Sequence, residues 1–185
     1  MRIGIFGGAF DPPHTGHLMV IAQVLATVPL DKVVVVPCWN HAFGKQMTDF
    51  RHRFAMAKRA FKFFGPIRVH VSSVEKDLKT RYTVDLIRAF KEQMPVPEDE
   101  LFLILGEDEW NNRDKWHQWD EIPKLISRVI VVGREGSPGN NFKVRVPNVS
   151  SSEIRDTIRM YGVQYCTNFL ASEVREYIAK HKLYE

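Results

Sequence analysis

The sequence predicts an α/β fold in which a doubly wound parallel sheet of about five to six strands carries helices on both faces. Short apolar runs alternate along the chain with longer segments whose apolar residues recur at helical spacing. The run KVVVV is apolar throughout, which is typical of a strand buried on both faces of a parallel sheet. With 185 residues, 44% of them hydrophobic and 26% charged, the chain is predicted to form a single domain over residues 1–185.

The first strand, helix and second strand follow one another directly. Residues 2–6 form an apolar run that Gly7 and Gly8 end, so we predict a buried strand and a tight turn. Thr15 is a suitable N-cap for a helix that runs to about Ala26, where apolar residues recur every three to four positions. Residues 32–36 form the second strand, and the three elements together make a right-handed βαβ unit.

The middle of the chain repeats this alternation. Residues 50–61 have an apolar stripe at helical spacing, and we expect Arg51 and Arg53 on the solvated side of that helix. Residues 67–71 form a third strand, and the polar residues 72–81 are expected to be irregular. A helix then runs from Thr83 to about Gln93.

The last part of the chain completes the sheet and adds a small helical part. We predict strands at residues 101–105, 129–132 and 143–146, a short helix at 121–127, and C-terminal helices that Ser150–Ser152 and Ser172 cap.

Composition excludes several classes of protein. No apolar stretch is long enough to span a membrane, and we expect no association with one. Cys38 and Cys166 do not make a disulfide framework, and the N-terminal residues do not resemble a signal peptide, so we expect a cytoplasmic protein. The net charge of +4 is scattered, which favours small anionic substrates over nucleic acid. The sequence does not reveal the oligomeric state.

The predicted sheet also indicates where ligands bind. In doubly wound sheets, ligands lie at the carboxyl ends of the strands, near the point where the strand order reverses. Four polar or glycine-rich segments follow predicted strands and should meet at that edge: residues 7–17, 37–45, 106–119 and 133–134.

The segment GGAFDPPHTGH contains the strongest functional signal. His14 and His17 lie at a predicted helix start, where both rings and the backbone N–H groups can donate to phosphate oxygens. Gly16 lets a ligand approach the backbone closely. A pair of capping or core histidines, or a metal-binding pair, is the alternative.

A second anion site is predicted at the start of a later helix. Three consecutive serines, Ser150–Ser152, precede Arg155 on the first helical turn, and together they can bind phosphate. An ordinary serine N-cap is the alternative.

The two segments resemble the paired signatures of the nucleotidyltransferase superfamily that has an H-x-G-H motif. GGAFDPPHTGH resembles the first signature, and SSSEIR at residues 150–155 resembles the second. Within the superfamily, the chain is most similar to bacterial nicotinate-mononucleotide adenylyltransferases, over essentially its whole length. Supporting matches are Glu75, YTVD at 82–85, GED at 106–108, Trp116, and the ending from Tyr177 to Tyr184.

The resemblance implies a Rossmann-like fold and transfer of AMP from ATP to nicotinate or nicotinamide mononucleotide, with release of pyrophosphate and with Mg²⁺. The resemblance implies catalytic roles for His14, His17, Lys45 and Arg155. It implies that ATP contacts Gly7, Gly8, Phe10, Gly16, Gly106, Asp108, Ser151, Ser152 and Ile154. It implies that the mononucleotide contacts Tyr82, Thr83, Trp116 and Arg134. No residue is predicted to be a metal ligand.

Some sequence features leave alternatives open. The loop with Lys45 departs from the Pro-Pro-His pattern of the family, so Lys45 is either the family lysine or a surface lysine. Arg81 and the helix start after it favour a nicotinate carboxylate over the amide. The alternative acceptors are phosphopantetheine or the phospho-alcohol substrate of a cytidylyltransferase. A nucleic-acid-binding domain and a nucleotide sensor without catalysis are the alternatives to an enzyme.

Overall fold

The computed structural model describes residues 1–40, 44, 46–93, 100–133 and 149–185. The strands in these ranges are β1 (Ile3–Gly8), β2 (Lys32–Pro37), β3 (Val69–Val71), β4 (Leu101–Gly106) and β5 (Arg128–Val132). Within the described part of the chain they form one five-stranded sheet, in the order β3-β2-β1-β4-β5, and every pairing is parallel. The predicted doubly wound, Rossmann-like sheet is therefore confirmed, and its order reverses between β1 and β4.

Helices connect the strands and cover both faces of the sheet. The α-helices in the described ranges are α1 (Thr15–Thr27), α2 (Phe50–Phe61), α3 (Val74–Leu78), α4 (Thr83–Gln93), α5 (Glu107–Asn111), α6 (Ile122–Leu125), α7 (Ser151–Tyr161) and α8 (Ser172–His181). No helix within these ranges is both long and apolar enough to cross a membrane.

The alternation of side chains along β2 explains why its sequence is apolar throughout. Val33 and Val35 belong to the core on one face of the sheet, with α1, α2, α7 and α8. Val34 and Val36 belong to the core on the other face, with α4 and α6. Successive residues of a strand point to opposite faces, and both faces are covered here, so neither set can be polar.

Three local predictions are wrong. Gly7 and Gly8 do not form a turn after β1, because they continue the strand and pair with Val36 and Pro37. Residues 72–81 are not irregular throughout, since α3 forms over Val74–Leu78 and buries Val74. The N-cap of α1 is His14 rather than Thr15, whose N–H instead donates to the carbonyl of Phe169 at 2.9 Å.

Two further predictions concern the C-terminal part. Ala171, not Ser172, is the N-cap of α8. The strand predicted at residues 143–146 lies outside the described residues.

Candidate active site

Two adjoining cavities open at the carboxyl ends of β1 and β4, where the sheet order reverses. The wider cavity measures about 660 Å³ and the narrower about 300 Å³. Gly7, Gly8, Ala9 and Gly106 line both cavities. A Cβ atom built on Gly7 or Gly106 would meet nothing within 4 Å. Glycine therefore keeps the shared space open and lets a ligand contact the backbone.

The narrower cavity brings together most of the residues that the resemblance assigned to ATP. Its lining residues come from both signatures and from the segment after β4. They include Gly7, Gly8, Phe10, His14, Gly16, His17, Gly106, Asp108, Ser151 and Ser152. Residues more than 130 positions apart in the sequence thus line one cavity, because α7 begins beside the start of α1.

His14 and His17 lie against each other on the first turn of α1. The backbone N–H of His14 donates to Nδ1 of His17 at 3.1 Å, and the ring centroids are 3.8 Å apart. Because Nδ1 of His17 accepts this hydrogen bond, the neutral ring carries its proton on Nε2. A Cβ atom on Gly16 would lie 3.0 Å from the His14 ring, so a side chain at this position would push the ring away by a few tenths of an ångström. The ring of Phe10, itself 1% exposed, supports His17 edge-on at 5.0 Å.

Buried hydrogen bonds hold the loop between β1 and α1. Asp11 is 3% exposed; its Oδ1 accepts from the hydroxyl of Tyr184 at 2.8 Å, and its Oδ2 accepts from the N–H of Thr48 at 3.1 Å. Burial, followed by the charge of Asp11, raises the pKa of Tyr184, so its hydroxyl stays a donor. Arg155 donates to the carbonyl of Asp11 at 2.8 Å. Residues from both ends of the chain thus position this loop.

The start of α7 contacts the same loop. Ser150 is the N-cap, and its hydroxyl accepts from the N–H of Glu153 at 3.2 Å. Ser151 donates to the carbonyl of Pro12 at 3.0 Å, and the hydroxyl of Ser152 accepts from Arg155 at 3.1 Å. Ile154 is 2% exposed and packs in the core, because helical periodicity turns it toward the sheet. Neither Ile154 nor Arg155 lines the narrower cavity.

The wider cavity brings together three of the four residues that the resemblance assigned to the mononucleotide. Tyr82, Thr83 and Trp116 line it, the first two at the start of α4 and Trp116 in the segment after α5. Trp116 is half-buried and packs edge-on against Trp119 at 5.8 Å. Trp119 lies behind it and does not line the cavity. The backbone N–H of Tyr82 donates to the hydroxyl of Thr80 at 3.3 Å.

His117 extends this aromatic wall, and its contribution was not apparent from the sequence. Its ring stacks on that of Tyr82 with centroids 4.3 Å apart, and both rings line the wider cavity. The side chains of Arg81 and Lys115 also line the cavity and are exposed. This cavity therefore combines stacking surfaces with two exposed cations, and the acidic residues Glu75 and Glu109 line it as well.

Glu75 is a buried carboxyl in the wall of the wider cavity. It is 5% exposed, and its Oε2 accepts from the N–H of Trp39 at 2.7 Å. Burial raises the pKa of Glu75 to about 7, although the hydrogen bond from Trp39 and the charge of Arg53 act to lower it. Burial likewise raises the pKa of the nearby Cys38 thiol to about 11, so this thiol is protonated at neutral pH and is a poor nucleophile.

Arg53 does not lie on a solvated helix face, contrary to the sequence-based expectation. Its side chain is 1% exposed and points from α2 toward the site. A signal was present in the sequence: Arg53 is three residues after Phe50 and four before Ala57, both of which are buried. Its helical phase therefore placed it among apolar neighbours. Arg51 is exposed, as expected.

Two predicted site residues, Lys45 and Arg134, lie outside the described residues. Among the residues that are described, no three His, Cys, Asp or Glu side chains are grouped so that they could hold a metal ion.

Sequence comparison finds similarity over the whole chain. Residues 5–157, which include both signatures, match the cytidylyltransferase-like family. The "probable nicotinate-nucleotide adenylyltransferase" of Albidiferax ferrireducens is 35% identical over 202 residues, with 100% of this chain and 98% of that protein aligned. The protein of the same name from Bacillus pumilus is 31% identical over 190 residues, again with 100% and 98% aligned.

Solved structures share the fold. The Plasmodium falciparum nicotinic acid mononucleotide adenylyltransferase complexed with NaAD superimposes with a TM-score of 0.76 at 21% identity, covering 99% of this chain and 97% of that one. The same enzyme complexed with APC gives a TM-score of 0.74, at 21% identity and with 99% and 96% covered.

Proposed function

The chain belongs to the cytidylyltransferase-like family and, within it, to the nicotinate-nucleotide adenylyltransferases, and we propose that it joins ATP and nicotinate mononucleotide across its two cavities. AMP passes from ATP to the mononucleotide and pyrophosphate leaves, which is a step of NAD biosynthesis. The protein is thus a nucleotidyltransferase.

One observation supports this assignment to two substrates: the two cavities adjoin along the glycines at the ends of β1 and β4, where a Cβ atom on Gly7 or Gly106 would meet nothing within 4 Å. Gly7, Gly8 and Gly106 belong to both cavities. ATP in the narrower cavity and a mononucleotide in the wider one would meet above these glycines. The phosphate of the mononucleotide can then attack the α-phosphorus of ATP in line.

This reaction needs no protein nucleophile, because the attacking group belongs to the substrate. Catalysis then consists of orientation, which can contribute roughly 7–11 kcal/mol, and of stabilising the charge that develops on the phosphates. In our proposal His17 donates from Nε2 to the α-phosphate, and His14, Ser151 and Ser152 bind the remaining phosphates. We assign to Arg155 a role at the phosphates through Ser152, to which it donates at 3.1 Å.

The remaining assigned residues complete the nucleotide site in this proposal. The backbone at Gly7, Gly8, Gly16 and Gly106 lies against ATP, and Asp108 bonds a ribose hydroxyl. Phe10 acts by supporting His17, and Ile154 by anchoring the first turn of α7 in the core. From the resemblance alone, Lys45 is assigned a catalytic role and Arg134 a contact with the phosphate of the mononucleotide.

The mononucleotide site is assigned to the aromatic wall of the wider cavity. Trp116 offers a face on which a positively charged pyridine ring would stack. Tyr82 and Thr83 lie at the start of α4, whose N-terminus favours negative charge. The exposed cations Arg81 and Lys115 at the rim support nicotinate over nicotinamide, because a carboxylate gains from positive charge that a neutral amide does not need.

Magnesium is proposed to enter with ATP. Its chemistry would be to neutralise the charge that develops on pyrophosphate as it leaves. No cluster of three candidate ligands is present in the described ranges, so we propose that the substrate phosphates and water hold most of the coordination sphere. We also propose a cytoplasmic location, which the two free cysteines, Cys38 and Cys166, support.

The proposal is tested by measuring pyrophosphate release from ATP with a panel of acceptors. Nicotinate mononucleotide should give the highest kcat/KM, with nicotinamide mononucleotide lower and phosphopantetheine and phospho-alcohols inactive. Preference for one of the last two would move the assignment to another member of the superfamily. Nucleotide binding without pyrophosphate release from any acceptor would indicate a sensor and contradict the proposal.

A further inference from the structure

A buried arginine links the loops that follow β1 and β2. Nη1 of Arg53 donates to the carbonyl of Ala9 at 2.9 Å, and its Nε donates to the carbonyl of Thr48 at 2.7 Å. Its Nη2 donates to the carbonyl of Trp39 at 3.3 Å. Because a guanidinium group is planar and rigid, one side chain sets the relative positions of three backbone segments.

Glu75 holds the same residue of the second loop. The carbonyl of Trp39 accepts from Arg53, and its N–H donates to Oε2 of Glu75 at 2.7 Å. The two side chains come from different elements, α2 and α3, and are 1% and 5% exposed. A buried polar or charged group is costly unless it is hydrogen-bonded, and both side chains form hydrogen bonds to the backbone of Trp39.

The backbone that this pair holds forms the wall of both cavities. Ala9 lines both the narrower and the wider cavity, and Cys38 and Asn40, on either side of Trp39, line the wider one. The N–H of Cys38 also donates to the carbonyl of Gly8 at 2.9 Å. The position of the Trp39 backbone therefore affects the width of the wider cavity, between Ala9 on one side and Cys38 and Asn40 on the other.

We propose that Arg53 and Glu75 are positioning residues for adenylyl transfer, which act by holding Trp39 through both its N–H and its carbonyl. They fix the loop after β2 against the loop after β1, and so the alignment of the mononucleotide with ATP. Neither residue is required to touch the reacting atoms. This inference rests on the proposed function.

Glu75 is the better residue to change, because removing Arg53 would leave the carbonyls of Ala9, Thr48 and Trp39 without their donor. In E75A the acceptor for the Trp39 N–H is lost, whereas in E75Q the amide oxygen can still accept it. A shift of about 1 Å in substrate alignment can cost about 100-fold in rate. We expect kcat to fall about 10- to 100-fold in E75A, with KM for ATP nearly unchanged, and E75Q to retain most of the wild-type kcat.

A second measurement reports on the hydrogen bonds without any turnover. The Trp39 amide should exchange its hydrogen faster in E75A than in the wild type or E75Q, while the amide of Ile5 in β1 is unaffected. E173A is the matched control, because Glu173 is an exposed glutamate, bonded to Lys62 at 3.1 Å, and lines neither cavity. It should leave kcat and the exchange of Trp39 unchanged.

The outcomes separate this inference from the proposed function. Wild-type kcat in E75A, or an E75Q variant as impaired as E75A, would overturn the positioning role. A wild-type protein that forms no dinucleotide would instead contradict the proposed function. Hydrogen exchange at the Trp39 amide would then still show whether Glu75 holds the loop. Equal exchange rates in the wild type and all variants would overturn the inference.

Discussion

Gly4 and Gly7 lie three residues apart on β1, yet the structure predicts opposite effects when each is replaced by alanine. A Cβ atom on Gly4 would lie 2.8 Å from Cδ1 of Ile104 and 2.8 Å from Cδ1 of Leu30, inside the core. A Cβ atom on Gly7 would meet nothing within 4 Å, because it would project into the space shared by the two cavities.

The magnitudes follow from these distances. G4A requires the ends of the Ile104 and Leu30 side chains to shift within a filled core, and should lower the free energy of unfolding by about 1 kcal/mol, with little change in kcat/KM. G7A introduces no clash, and alanine restricts the unfolded chain, so the free energy of unfolding should be unchanged or higher by about 0.4–1 kcal/mol. Its methyl group would occupy substrate space, and kcat/KM should fall by about 10- to 100-fold.

Urea unfolding and the rate of dinucleotide formation, measured on both variants, test this reasoning. Each variant is the control for the other, since both exchange a glycine for alanine in one strand. A G7A variant with wild-type kcat/KM would show that no substrate approaches Gly7. A G7A variant as destabilised as G4A would refute the claim that the space beside Gly7 is empty in the folded protein.

Three further predictions concern single side chains of the site. H17A should lower kcat by about 10²–10³ with a modest change in KM, and an unchanged kcat contradicts the role of His17. Folding raises the pKa of Glu75 from 4.5 to about 7. The stability that the neutral carboxyl contributes is therefore fully present below about pH 4.5, and it is lost as the pH rises to about 7 and above. When urea unfolding is measured from about pH 4.5 to 8, the free energy of unfolding of E75Q should rise by roughly 3 kcal/mol relative to that of the wild type. A difference between the two proteins that does not change with pH contradicts this prediction. Y184F removes the donor to Asp11 and should cost about 1–3 kcal/mol by thermal unfolding, whereas Y165F, at a side chain that is 64% exposed, is the control expected to change little.

The strands were predictable because burial on both faces leaves a direct mark on composition. The four consecutive valines of β2 divide between two cores, as expected for a β-branched run in a parallel sheet that is covered on both faces. Element ends were less predictable. The first strand runs through Gly7 and Gly8, since pairing with β2 outweighs the tendency of two glycines to form a turn.

The site was predictable where its residues belong to one short segment. His14 and His17 are three residues apart at a helix start, and this spacing alone brings their rings together. Arg53 was misassigned and the contribution of His117 was missed, because their partners are distant in sequence or belong to the backbone. Arg53 donates to three backbone carbonyl groups. Every residue has a backbone carbonyl, so the amino-acid sequence does not show which ones accept a hydrogen bond.

The sequence by itself determined the alternation of strands and helices and the two signature segments that we assign to phosphates, because periodicity and local spacing are properties of neighbouring residues. Only the tertiary structure decided that the signatures line one cavity, that a second cavity adjoins it over Gly7 and Gly106, and that Asp11 is bonded by Tyr184 from the far end of the chain. The first and third relations arise from the packing of α7 and α8 against the sheet, and the second arises because β1 and β4 are neighbours in it. Contacts between residues far apart in sequence depend on the whole fold, and local patterns carry no information about them.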